Sequence, residues 1–113
     1  MKCTAGAGEP ERANQAFTVA AAATAAGAAV SLWLTGEATW FAVPGRASLD
    51  LAHATPLNDL LRLVLTSGAV TVCTQCALRR GLAESDLLDG IMIRGAVAFA
   101  EEILEDGVQA IVY

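Results

Sequence analysis

The apolar, β-branched run Ala69-Val70-Thr71-Val72 leads without a gap into Cys73-Thr74-Gln75-Cys76. Strand formers followed at once by two thiols place those thiols at the C-terminal end of a buried strand, the edge at which open α/β sheets build their sites. The rest of the chain reads in the same terms. Ala29 to Thr35, Gly90 to Ile93 and Gln109 to Tyr113 also have strand character, and Lys2-Cys3-Thr4 reads as the end of a short first strand. Glu9-Pro10-Glu11 opens a helix that runs through Ala26 and stops at Gly27, because Pro suits the first turn, early carboxylates complement the dipole and Gly ends helices. A second helix starts at Pro56, with Leu57, Leu60, Leu61 and Val64 on one face, Thr55 as N-cap and Gly68 as C-cap. A third covers Gly95 to Glu105. Gly36-Glu37 begins a short helical or loop segment that holds Trp40 and Phe41 and breaks at Pro44-Gly45, Leu78 to Gly81 reads as a turn, and Ser85 to Leu88 as one helical turn. Alternating strands and helices predict a single domain over residues 1–113, a three-layer α/β/α fold with a mostly parallel, five-stranded sheet.

Composition narrows the function classes. Hydrophobic residues make up 55% of the 113 residues and charged residues 17%, against an average of about 25%. A surface this poor in charge points to subunits that cover one another. The net charge is −5, and the arginines at 12, 46, 62, 79, 80 and 94 form no stripe, which argues against nucleic-acid binding. No charge occurs from Asn14 to Gly36, a length that would span a bilayer. Gly27 divides that stretch, however, and a helix of Ala and Thr followed by the strand Val30-Ser31-Leu32-Trp33-Leu34 explains the same gap. Glu9 and Glu11 stand where a secretory signal would carry positive charge. The expectation is a cytoplasmic protein with no membrane span, its three cysteines kept reduced rather than paired as a scaffold.

A further set of short motifs occurs in a fixed order. Gly8-Glu9-Pro10-Glu11-Arg12-Ala13 precedes the alanine-rich helix, and Leu34-Thr35-Gly36-Glu37 follows the second strand. Val72-Cys73-Thr74-Gln75-Cys76 follows the third strand, and Gly81-Leu82 and Asp86-Leu87-Leu88-Asp89-Gly90 precede the fourth. In this order and spacing the chain resembles the DsrE/DsrF-like family over almost its whole length. The resemblance implies a small cytosolic α/β protein, often a homotrimer or hexamer. Its best-studied members pass sulfur as a persulfide on a cysteine, between a sulfur donor and an acceptor. The family's first strand is longer than this chain has room for.

The chemistry expected of these residues centres on Cys73 and Cys76. A thiolate is the reactive form, and a Cys-x-x-Cys at the mouth of a helix or loop lowers one thiol pKa. Arg79 and Arg80 follow within one turn, close enough to stabilise a thiolate or persulfide anion. In the family pattern the strand-end cysteine carries the sulfur, which assigns Cys73 as acceptor and Cys76 as the accessory thiol. Glu37, at the end of the second strand, is a candidate to orient a sulfur donor or act as a base, against the plainer role of a helix N-terminal charge. Other readings compete. In one, the thiols simply pack, which leaves a binding or assembly protein of the same fold. A thioredoxin-like dithiol needs a helix that starts at the pair, and none is evident at Cys76. A structural zinc site would need Cys3 and His53 to converge on the pair. No cofactor and no metal is expected, and neither GxGxxG nor GxxxxGK[ST] occurs. Trp40 and Phe41 read as core or subunit contacts, with a pocket wall as the alternative.

Overall fold

The computed structural model describes all 113 residues. The first helix, α1 (Pro10–Ala25), carries Pro at its start and Glu11 in its first turn. It ends before Gly27, whose φ of +87° is open to glycine at little cost. Its buried residues Ala13, Ala16, Phe17, Ala20, Ala21 and Thr24 recur at three- and four-residue intervals, so one small-residue face lies close against the sheet. The Thr24 hydroxyl is satisfied within the helix by donating to the Ala20 carbonyl at 2.9 Å.

Four parallel strands pair in chain order: β1 (Lys2–Cys3), β2 (Ser31–Leu34), β3 (Ala69–Cys73) and β4 (Ile91–Arg94). The first three crossovers advance in one direction. The last returns from β4 through α4 (Ala96–Ile103) to the far edge beside β1. Right-handed crossovers place helices on opposite faces when the direction reverses. Accordingly α1 packs with α2 (Leu57–Ser67) on one face, and α4 covers the other.

Registry decides which side chains go where. Lys2, Trp33, Thr71 and Met92 are lateral neighbours and share the α4 face, while Cys3, Leu34, Val72 and Ile93 share the other. Leu32, Leu34, Val70 and Val72 form one buried cluster with Phe17 of α1 and Leu57, Leu60, Leu61 and Val64 of α2. On the opposite face Trp33 meets Phe99 edge-on, centroids 5.3 Å apart. Glu102 ties α4 down by accepting from Ser31 Oγ and Trp33 Nε1, each at 2.8 Å, and from Arg94 at 3.3 Å.

The sheet has four strands where five were expected. Residues Ile111–Tyr113 do lie parallel to β1, with bonds from Lys2 N–H to Ile111 O and from Tyr113 N–H to Lys2 O at 2.8 and 2.9 Å. Because β1 has only two residues, the ladder closes as a single bridge between Lys2 and Val112. Two local expectations also change. The start of α2 is capped by no side chain, Thr55 included, and Pro56 occupies the N-cap position. Residues Thr74–Arg79, read in part as a turn, form a helix, α3, that ends at Gly81 with φ +64°. Six residues are too few to display helical periodicity. Gly36–Ala42 forms a 3₁₀ helix. No helix is long and apolar enough to cross a membrane.

Candidate functional site

Cys73 is the last residue of β3 and the N-cap of α3, and it pairs laterally with Arg94 on β4. It follows Thr71 by two positions, so its side chain belongs to the face of Lys2 and Trp33. The thiol is only partly buried. Partial burial opposes its ionisation. That is outweighed by the backbone N–H groups of Cys76 and Gln75, the Cys76 thiol and the positive charge of Lys2, so the Cys73 thiol ionises below its ordinary range. No side-chain cap hydrogen bond closes at this helix start. The N–H groups therefore act on the sulfur as oriented dipoles.

Cys76 lies one turn further on, 7% exposed, between α3 and the 3₁₀ helix. Its sulfur accepts the Gly36 N–H at 3.2 Å. Gly36 adopts φ +53°, and an added Cβ there would stand 3.1 Å from the Thr4 carbonyl oxygen, so the backbone turn that aims this N–H belongs to glycine. Sequence and structure thus converge on a half-exposed thiol with a buried one behind it.

Cys3 is different in kind. It lies on the α1 and α2 face, fully buried, and donates weakly to the Ala5 carbonyl at 3.5 Å. Burial pushes its pKa up to about 11. His53 stands exposed on the loop before α2 with φ 62°. The fold does not bring these two residues to the Cys73–Cys76 pair, as a shared zinc site would require.

The charged candidates are arranged differently from their order in sequence. The Arg80 guanidinium turns to Glu37 at 2.5 Å and to the Cys76 carbonyl at 3.1 Å, and lies 5.6 Å from the Trp40 ring centre. It braces α3 against the 3₁₀ helix. Arg79 is exposed in the last turn of α3. The cation that acts on Cys73 is Lys2, two strands away. Glu37 is exposed at the start of the 3₁₀ helix, on the sheet edge that also carries Cys73, and its carboxylate is engaged with Arg80. Phe41 is a core residue, edge-on to Phe17 at 5.7 Å. Trp40 is half-buried, lines a cavity and carries Arg46 4.2 Å above its ring. Lys2, Gly36 and Arg46 are contributors that the sequence reading missed. Lys2 and Gly36 act on the thiols from distant parts of the chain, so the residues around the cysteines do not mark them, while Arg46 packs on its near neighbour Trp40 beside the thiol site.

Comparison with known proteins agrees with this fold. The chain aligns with the crystal structure of the ychN protein from E. coli at a TM-score of 0.65, with 17% identity, over 91% of this chain and 84% of that one. At that identity the likeness establishes the fold alone. No curated protein matches the chain. The sequence pattern of the DsrE/DsrF-like family, in contrast, matches residues 3–113. With the motifs in order and the parallel α/β sheet in place, the chain belongs to the DsrE/DsrF-like family.

Proposed function

We propose that this chain carries sulfur as a persulfide on Cys73, with Cys76 as its accessory thiol, and relays it between a sulfur-donor and a sulfur-acceptor protein. The placement of Cys73 carries the reading. It is a half-exposed thiol at the C-terminal edge of a parallel sheet, with its ionisation favoured by two backbone N–H groups and Lys2. In the loading step the Cys73 thiolate attacks the outer sulfur of a donor persulfide. A bond forms between Cys73 Sγ and that sulfur, the donor S–S bond breaks, and the donor leaves as a thiolate. In the release step an acceptor thiolate attacks the outer sulfur of the Cys73 persulfide. A bond forms between the acceptor and that sulfur, the S–S bond to Cys73 breaks, and Cys73 leaves as a thiolate, so the sulfur passes on with no net oxidation or reduction. Cys76, buried behind Cys73 with its sulfur held by the Gly36 N–H, is the accessory thiol beside the carrier.

Arg79, exposed beside the pair, is the residue we assign to meeting the partner protein, and the Glu37–Arg80 ion pair holds α3 in place. We also propose a homo-oligomer, trimer or hexamer, in the reducing cytoplasm. Exposed Met92, Val97, Leu104 and Val112 support that assembly.

The experiment is the intact mass of the reduced protein after exposure to a persulfide donor, with and without reductant, and peptide mapping of any adduct. One reductant-labile sulfur on Cys73, lost in Cys73→Ser with the fold retained, is the expected result. Sulfur loading that survives Cys73→Ser removes Cys73 from the role. A second reading, a dithiol redox protein, gains support from one observation: Cys73 is the N-cap of α3, the helix start that a thioredoxin-like pair needs. Loss of two hydrogens across the pair, with no added sulfur, would select it.

A further inference from the structure

A cavity of about 530 Å³ opens beside the C-terminal end of β1, and neither Cys73 nor Cys76 lines it. One wall is the turn Gly6-Ala7-Gly8 and the other is the 3₁₀ helix with Glu37 and Trp40. Gly6 sets their separation, because a Cβ there would come within 2.5 Å of the Glu37 Cβ. The charges around this space are almost all spent. Glu9 is paired with Arg12 at 2.5 Å and Glu37 with Arg80 at 2.5 Å. Arg46, also on the wall, is joined to no carboxylate. It is a cation without a counter-charge in a chain whose net charge is −5.

The Arg46 guanidinium lies 4.2 Å from the Trp40 ring centre and makes no side-chain hydrogen bond. The guanidinium rests against the ring, and its planar N–H fork has no side-chain acceptor. Such a fork matches two oxygens of a carboxylate or phosphate. The cavity has the volume of an organic ligand site rather than that of a bare ion, and it lies at the carboxyl edge of a parallel sheet.

We infer that this cavity is a binding site for a small organic oxyanion, a carboxylate or phosphate ester. Arg46 grips the oxygens, Trp40 holds Arg46, and the Gly6–Gly8 turn encloses the body. The site adjoins the thiols through one segment: Gly36 donates to Cys76, and Glu37 beside it forms the cavity wall. It does not depend on sulfur being carried at Cys73.

The test is calorimetric titration of the full chain with three probes: glutathione as a carboxylate, adenosine monophosphate as a phosphate ester, and inorganic phosphate. Saturable binding of one organic probe, tighter than inorganic phosphate, is expected. Arg46 is exposed, so Arg46→Ala should leave the fold intact while weakening that binding by at least about tenfold. Arg46→Lys, which keeps the charge and loses the fork, should fall between the two. Tighter binding of glutathione would identify a carboxylate ligand, and tighter binding of the nucleotide a phosphate ester. The inference is overturned if no probe binds saturably, if affinity survives Arg46→Ala, or if inorganic phosphate binds as tightly as the organic probes. Sulfur loading is read separately by mass, so failure here and failure of the persulfide reading are distinguishable.

Discussion

Native alkylation with iodoacetamide near pH 7 should modify the three cysteines in a fixed order, Cys73 before Cys76, with Cys3 last. The order follows from the fraction of each thiol present as thiolate. A thiol at about 11, as for Cys3, is ionised to about one part in 10⁴ at that pH, and one at its ordinary value of 9.0 to about one part in 10². Cys73 lies below the ordinary value, so population alone favours it over Cys3 by more than about a hundredfold. Intrinsic nucleophilicity runs the other way. A Brønsted coefficient of roughly 0.4–0.5 over about two pKa steps returns about tenfold to Cys3. A net preference of at least about tenfold remains from chemistry alone. Burial enlarges it, since Cys3 is 0% exposed and must open before it meets reagent, while Cys73 is half-exposed. Cys76, at 7% exposure with its sulfur facing the Gly36 N–H, should lag behind Cys73. The assay is a quenched time course read by peptide mass, with a denatured control in which the three rates draw together. Comparable native rates for Cys3 and Cys73, or a Cys73 rate no higher than that of the same residues in a short peptide, would refute the reasoning.

Two other outcomes follow from the geometry. Gly6→Ala places a Cβ 2.5 Å from the Glu37 Cβ and should cost roughly 1–3 kcal/mol, read as a lowered melting temperature without loss of the fold. Cys3 titrates at about 11 when folded against 9.0 as an ordinary thiol, so the folded state disfavours its ionised form. Its contribution is therefore complete below pH 9 and should be lost, by roughly 2–3 kcal/mol, as pH rises through 11. The stability difference between wild type and Cys3→Ala, measured by denaturant unfolding across that range, should shrink by that amount. A difference that stays constant with pH would show that Cys3 is not held protonated by the core.

The assembly proposed here has a physical basis in how the two faces of the sheet are covered. The α1 and α2 face is closed by a continuous buried cluster. The α4 face has one helix of eight residues, and outside Trp33 and Phe99 it leaves Met92 at 42% and Val97 at 73% exposed. Apolar area left open on one side of a thin sheet costs about 25 cal/mol for each Å² that a second subunit would cover. Size-exclusion with light scattering tests this, and a monomer at micromolar concentration would remove the proposal.

Much of the molecule is written locally. Helix α1 announces itself through Pro10, Glu11 and Gly27, and α2 through the spacing of Leu57, Leu60, Leu61 and Val64. Strand β3 and the cysteines that end it are legible because β-branched residues and thiols sit side by side in the chain. These features depend on neighbours within a few residues, and local propensity and periodicity report such neighbours. Helix α3 escaped because six residues carry no period, and it forms only where Cys73 ends a strand already fixed in the sheet. The fifth strand shrank to a bridge because its partner β1 is two residues long, a fact about pairing rather than about Gln109–Tyr113. The same distinction governs the site. That Cys73 and Cys76 stand together at a strand end is legible from adjacent residues. Their environment comes from packing between distant segments. Parallel registry puts Lys2 on the Cys73 face, the left-handed turn at Gly36 aims an N–H at Cys76, and the return of Arg80 to Glu37 takes that arginine away from the thiols. Those contacts join residues 40 to 71 positions apart, and electrostatics acts through space, so no reading of adjacent residues contains them.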